Sequence, residues 1–141
     1  MKKVNLYIVA MASVMIAYLI LDGIWLGLVA KDTYIQSMQG MLRDEYPVAP
    51  WVTFYIMYSF VITHLVVMSN LNKGVGASIR DGALLGLASY GAYNLTNYAI
   101  LAGWPLPITL IDWIWGTCLT ATTAGVGALV VKKFVSNDRS V

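Results

Sequence analysis

Tyr90-Gly91-Ala92-Tyr93-Asn94-Leu95-Thr96-Asn97 lies inside a long apolar run, from about Gly82 to Trp104. A bilayer core takes about 20 apolar residues, so the run can span it. Amides turned toward lipid would have no hydrogen-bond partners, which hydrocarbon does not tolerate. On a helix, at about 100° per residue, Tyr90, Tyr93, Asn94 and Asn97 share one side, with Gly82 and Gly86 behind them. That side must face protein. Its natural partners are the two aspartates set in other apolar runs, Asp22 and Asp112.

The chain has 141 residues, of which 59% are hydrophobic and 11% charged. Soluble domains carry about 25% charge. The sequence therefore predicts an all-α integral membrane protein, one transmembrane domain over residues 1–141, with no room for a soluble domain. The net charge is +2, and the basic residues sit at span ends without interleaved aromatics, so no nucleic-acid partner is expected. The single cysteine, Cys118, falls in mid-span, which excludes an intrachain disulfide and a cysteine metal cluster. One histidine excludes bis-histidine haem ligation within one chain. No cofactor is expected.

Four spans are expected, at about 5–30, 50–68, 80–104 and 108–131, folding as a four-helix transmembrane bundle. The N-terminal apolar run follows Met1-Lys2-Lys3 as in a signal peptide. It is too long for that and lacks a small-x-small cleavage site, so a retained helix is expected. Tyr18, Asp22 and Trp25 share a face of the first span.

Between spans one and two, Tyr34, Ile35, Met38, Met41, Leu42 and Tyr46 recur at helical spacing, with polar residues opposite. This predicts an interfacial amphipathic helix at about 33–46, capped by Asp32 or Thr33 and ended by Pro47. It is a connector or a lid. The second span carries an aromatic stripe of Trp51, Tyr55 and Tyr58, and His64 points elsewhere among Met57, Phe60, Val61 and Met68.

Ser78-Ile79-Arg80-Asp81 and Thr109-Leu110-Ile111-Asp112 both match a capping box. The match makes Asp81 a cap and leaves Asp112 either a cap or a site residue. On the fourth span Asp112, Trp115, Gly116, Thr123 and Gly127 share a side, and its small residues permit close helix approach. The tail from Lys132 is expected to fray.

Seven basic residues (Lys2, Lys3, Lys73, Arg80, Lys132, Lys133 and Arg139) fall on one side of this topology and two, Lys31 and Arg43, on the other. The positive-inside rule then puts both termini in the cytoplasm. Asp22, Asn97 and Asp112 fall in the outer half of the bilayer, Asn94 one turn deeper and His64 in the inner half. Asp22 and Asn97 are expected to meet.

Asp22-Gly23-Ile24-Trp25-Leu26-Gly27, Asp81-Gly82, the block from Tyr90 to Ala99 with Trp104, and Asp112-Trp113-Ile114-Trp115-Gly116 resemble the blocks of the bacterial "domain of unknown function 2177" family. The resemblance covers essentially the whole chain. It implies a small four-span protein of the bacterial inner membrane and supplies no reaction.

Three functional classes follow. Asp22, Trp25, Tyr90, Tyr93, Asn94, Asn97, Asp112 and Trp115 would form an outward-facing polar pocket that binds or transports a small cation, a proton or a polar or lipid ligand. With four short helices, transport favours a homodimer. The alternative is a structural or accessory subunit whose polar residues hold helices together. The third is a lipid-modifying enzyme or its partner, with membrane lipid as the partner and a metal, if any, at Asp22 and Asp112. HExxH, a partnered nucleophilic cysteine and a phosphate loop are absent from the sequence, so the enzyme signal is weak.

Overall fold

The apolar runs do become helices. The computed structural model describes residues 3–138. Helix α1 spans Lys3–Ile24 and continues as a π-helical stretch, Trp25–Val29. Helix α2 is short, Lys31–Ser37. Helix α3, Val48–Val61, continues through a second π-helical stretch, Ile62–Val67, and a 3₁₀ turn, Met68–Asn70. Helices α4, Val75–Ile100, and α5, Leu106–Asp138, complete the order. No strand occurs among the described residues.

Three helical stretches are long and apolar enough to cross a membrane: Asn5–Val29, Val48–Asn70 and Leu106–Ser136. Helix α4 is not among them, although its 26 residues reach about 39 Å. Length is not what it lacks. Ser78, Arg80, Asp81, Ser89, Asn94 and Asn97 lower its hydropathy.

Several local expectations are corrected. The interfacial helix expected at 33–46 stops at Ser37: the chain leaves the helix at Met38, at φ −105° and ψ 22°, and Gly40 at φ +83° keeps it from resuming. Neither Asp32 nor Thr33 caps it. It starts at Lys31 behind Ala30, whose N–H already bonds the Trp25 carbonyl. Pro47 does not end it either, and instead stands in extended conformation before α3. The two capping boxes are not used. Helix α4 begins at Val75, one turn ahead of Ser78, and α5 begins at Leu106, ahead of Thr109. Thr109 turns its hydroxyl back to donate to the Pro105 carbonyl, 3.0 Å. The tail stays helical to Asp138, since Val135 still packs against the core, and its last part, 139–141, lies outside the described residues.

Packing is organised by rows four residues apart. On α4 the row is Ser78, Gly82, Gly86, Tyr90 and Asn94. On α5 two rows run in parallel. Asp112, Gly116, Thr120 and Ala124 face α4, and Trp115, Leu119, Thr123, Gly127 and Val131 turn toward α1 and α3.

The α4–α5 seam is close because it lacks side chains. A Cβ on Gly86 would come 2.7 Å from the Gly116 carbonyl oxygen, and one on Gly82 would come 2.8 Å from the Ala124 Cβ. A Cβ on Gly116 would fall on the Tyr90 ring. Such small-residue contacts let backbones approach where lipid supplies no hydrophobic drive between helices. On the other row, Gly127 admits Val14 and Val67. The core there is Val14, Tyr18, Ile62, Val67, Leu119 and Val131.

Candidate functional site

Asp22 sits in the last turn of α1 and is 6% exposed. Its carboxylate accepts two hydrogen bonds, from the Tyr55 hydroxyl at 2.7 Å and from the Trp115 indole N–H at 3.0 Å. The π-helical stretch begins three residues later at Trp25. The Trp25 ring lies flat on that of Trp115, with centroids 4.3 Å apart and planes 8° apart. Three helices thus converge on one carboxylate.

Asp112 lies one turn before Trp115 on α5. It accepts from the Tyr34 hydroxyl at 2.6 Å and from the Asn94 amide at 2.6 Å. Its side chain therefore bonds across to α2 and α4 and makes no cap. Asn94 is fully buried, and its Nδ2 also donates to the Tyr90 carbonyl, 3.1 Å. Its Oδ1 is buried without a hydrogen-bond partner.

Beneath the carboxylates lies a tyrosine layer. Tyr18, fully buried, shares a hydrogen bond with the Tyr90 hydroxyl. Its ring meets Tyr55 and Tyr58 edge-on at 5.5 and 5.7 Å. The Tyr58 hydroxyl bonds Ser89 at 2.6 Å and Thr120 at 3.1 Å. Thr120 stands on the glycine seam, and its own hydroxyl also donates to the Gly116 carbonyl.

The structure brings Asp22, Trp25 and Trp115 into one group, and Asn94, Asp112 and Tyr90 into the adjoining one. Asp22 and Asn97 do not pair. Asp22 takes Tyr55 and Trp115, and the asparagine that meets an aspartate is Asn94, with Asp112. The cause is the four-residue row of α4. It carries Asn94 onto α5, whereas Asn97 lies about 60° around the helix from it and is half-buried. Tyr93 is mostly exposed and packs edge-on against Trp104 at 5.8 Å. His64 stacks on Phe60, 5.7 Å and 7°, beside Tyr7 and away from the carboxylates.

Two residues bonded to the carboxylates, Tyr34 and Tyr55, were not among the expected site residues. The signal for Tyr55 is its place in the aromatic stripe of the second span. Tyr34 carries no such signal, because it reads as one more apolar position of an interfacial helix. Asp81 has a separate role, accepting from Asn70 at 2.8 Å and pairing with Arg80 at 2.8 Å.

Neither Asp22 nor Asp112 forms a salt bridge among the described residues, where Arg80–Asp81 is the ion pair found. No group of three or more His, Cys, Asp or Glu side chains gathers there either. The arrangement is a pair of carboxylates held by hydroxyl, indole and amide donors under aromatic cover. Such a pair can bind a cation or exchange a proton.

No curated protein and no solved structure matches the chain. A family model described as a predicted membrane protein, DUF2177, matches residues 7–129. The aspartate–tryptophan blocks and the tyrosine–asparagine block all fall inside that match, and the chain belongs to the DUF2177 family of predicted membrane proteins.

Proposed function

We propose that this is a four-span protein of the bacterial inner membrane, with both termini cytoplasmic, whose outer-half carboxylate pair takes up a small cation, the proton included. In this reading residues 1–141 form one transmembrane bundle, and α4 is its third span despite its polarity. The position of the polar groups on α4 supports that. Asn94 and Ser78 are buried, and Ser89 and Tyr90 bond to neighbouring helices. The seven-to-two distribution of basic residues supports the orientation.

The observation that carries the binding reading is that, among the described residues, no basic side chain partners Asp22 or Asp112, and all four partners are neutral donors. A buried carboxylate without a countercharge carries a large desolvation penalty. A bound cation or a bound proton removes it. A divalent ion prefers six or more oxygen ligands, which favours a monovalent cation or the proton here.

The competing reading is that the pair only fastens helices together, and it rests on each carboxylate already having two donors. The test is thermal unfolding in lipid nanodiscs against pH and against sodium and potassium concentration. The wild-type midpoint should move with at least one of these. Asp22→Asn and Asp112→Asn should stay folded and lose that response. A wild type indifferent to all three, or a response intact in both variants, leaves the structural reading standing.

A further inference from the structure

At the end of the molecule opposite the carboxylates, a cleft of about 610 Å³ opens between the start of α1, the turn after α3, the start of α4 and the end of α5. Leu6, Val67, Val75 and Val131 form apolar walls, and Lys132 and Asn70 are among its polar groups. The volume lies within the range of small-ligand sites. Lys132 is exposed near the end of the apolar stretch Leu106–Ser136, and a lysine so placed extends its ammonium toward the headgroup level.

Asn70 is the second observation. It is 2% exposed, and its Nδ2 is committed to the Val66 carbonyl at 3.0 Å and to Asp81 at 2.8 Å. Its Oδ1 is buried and has no partner. A buried amide oxygen calls for a donor. The cleft thus offers an apolar slot, one cation and, in the Asn70 side chain of its wall, one buried acceptor that a small shift of the wall would open to a hydroxyl or an N–H.

We propose that this cleft holds one anionic glycerophospholipid of the phosphatidylglycerol type. One acyl chain lies between the apolar walls, the phosphate meets Lys132, and a headgroup hydroxyl donates to Asn70 Oδ1. Charge decides among lipids. Lys73 and Lys133 lie close in sequence to cleft residues, and the nearby carboxylate, Asp81, is already held by Arg80 and Asn70. Phosphatidylcholine has no net charge and no donor in its headgroup. Phosphatidylethanolamine has a donor without net charge. The inference uses the membrane location alone and does not depend on the carboxylate pair.

The experiment is native mass spectrometry of the detergent-purified protein with added phosphatidylglycerol, phosphatidylethanolamine, phosphatidylcholine or glycerol phosphate. One phosphatidylglycerol per chain should be retained, at least about fivefold better than phosphatidylcholine, as one surface lysine implies. The exposed Lys132→Gln should lower retention about fivefold and leave the unfolding temperature of the delipidated protein unchanged. Val75→Trp, which fills the cleft from the first residue of α4, should abolish retention. Equal retention of phosphatidylglycerol and phosphatidylcholine, or wild-type retention in both variants, overturns the proposal. Glycerol phosphate binding as well as the whole lipid overturns it too, since the acyl slot would then contribute nothing.

Discussion

Trp25 and Trp115 stack face to face at 4.3 Å, and the same Trp115 ring donates its N–H to Asp22 one turn before Trp25. One indole therefore both donates to the carboxylate and covers the first residue of the π-helical stretch. Two substitutions separate these jobs. Trp25→Ala should remove the stack and cost about 1 kcal/mol beyond lost area. Trp115→Phe should keep an aromatic face and remove the donor, costing about 0.6 kcal/mol as membrane hydrogen bonds do on average. Reversible unfolding in mixed micelles measures both, and the double variant should show coupling because the residues touch.

The Tyr34–Asp112 hydrogen bond ties the connector after span one to the helices. Helix α2 is short and buries no residue fully, so this tie matters to it. Tyr34→Phe should cost the fold little, about 0.6 kcal/mol. It should loosen the segment carrying Arg43, seen as faster tryptic cleavage there. A cleavage rate equal to wild type would mean that the connector is held by other contacts.

Overpacking tests the glycine seam. Gly116→Ala places a methyl on the Tyr90 ring, and Gly86→Ala places one against the Gly116 carbonyl. Each should destabilise by about 1–3 kcal/mol. Gly23→Ala is the control, since a Cβ there meets nothing within 4 Å. Equal stability of all three variants would show that α4 and α5 can move apart freely.

Orientation is open to direct labelling. In a Cys118→Ser background, a single cysteine at Asp138 should react only from the cytoplasmic side, and one at Arg43 only from the outside. Labelling of the Asp138 position from the periplasm would reverse the topology.

How much of this was legible beforehand follows from which forces leave a mark on sequence. Apolar runs do, so α1, α3 and α5 stand out. Asp22, Asn94 and Asp112 do as well, because a polar group set in an apolar run needs a partner. Their actual partners do not. Tyr34 and Tyr55 look like ordinary membrane aromatics until the helices are packed. The choice of Asn94 over Asn97 depends on the four-residue row set by Gly82 and Gly86, and a face drawn about 60° wide contains both. The capping boxes misled for a related reason. Ser78 and Thr109 match a terminal pattern, but α4 starts one turn ahead of Ser78 at Val75, and α5 starts at Leu106, so neither residue is terminal.

The glycine seam also bears on how the chain reaches the membrane at all. Helix α4 alone is too polar to partition readily, and α5 alone is not. The two are separated by five residues, Leu101 to Pro105, and meet at backbone distance along Gly82, Gly86 and Gly116. In the proposed four-span reading, the earlier helix would have to wait for the later one during synthesis, and the pair would enter as a hairpin with Asn94 already shielded by Asp112. A chain cut after Ile100 would then present a nascent segment that the insertion machinery rejects, and quality-control proteases would meet it first.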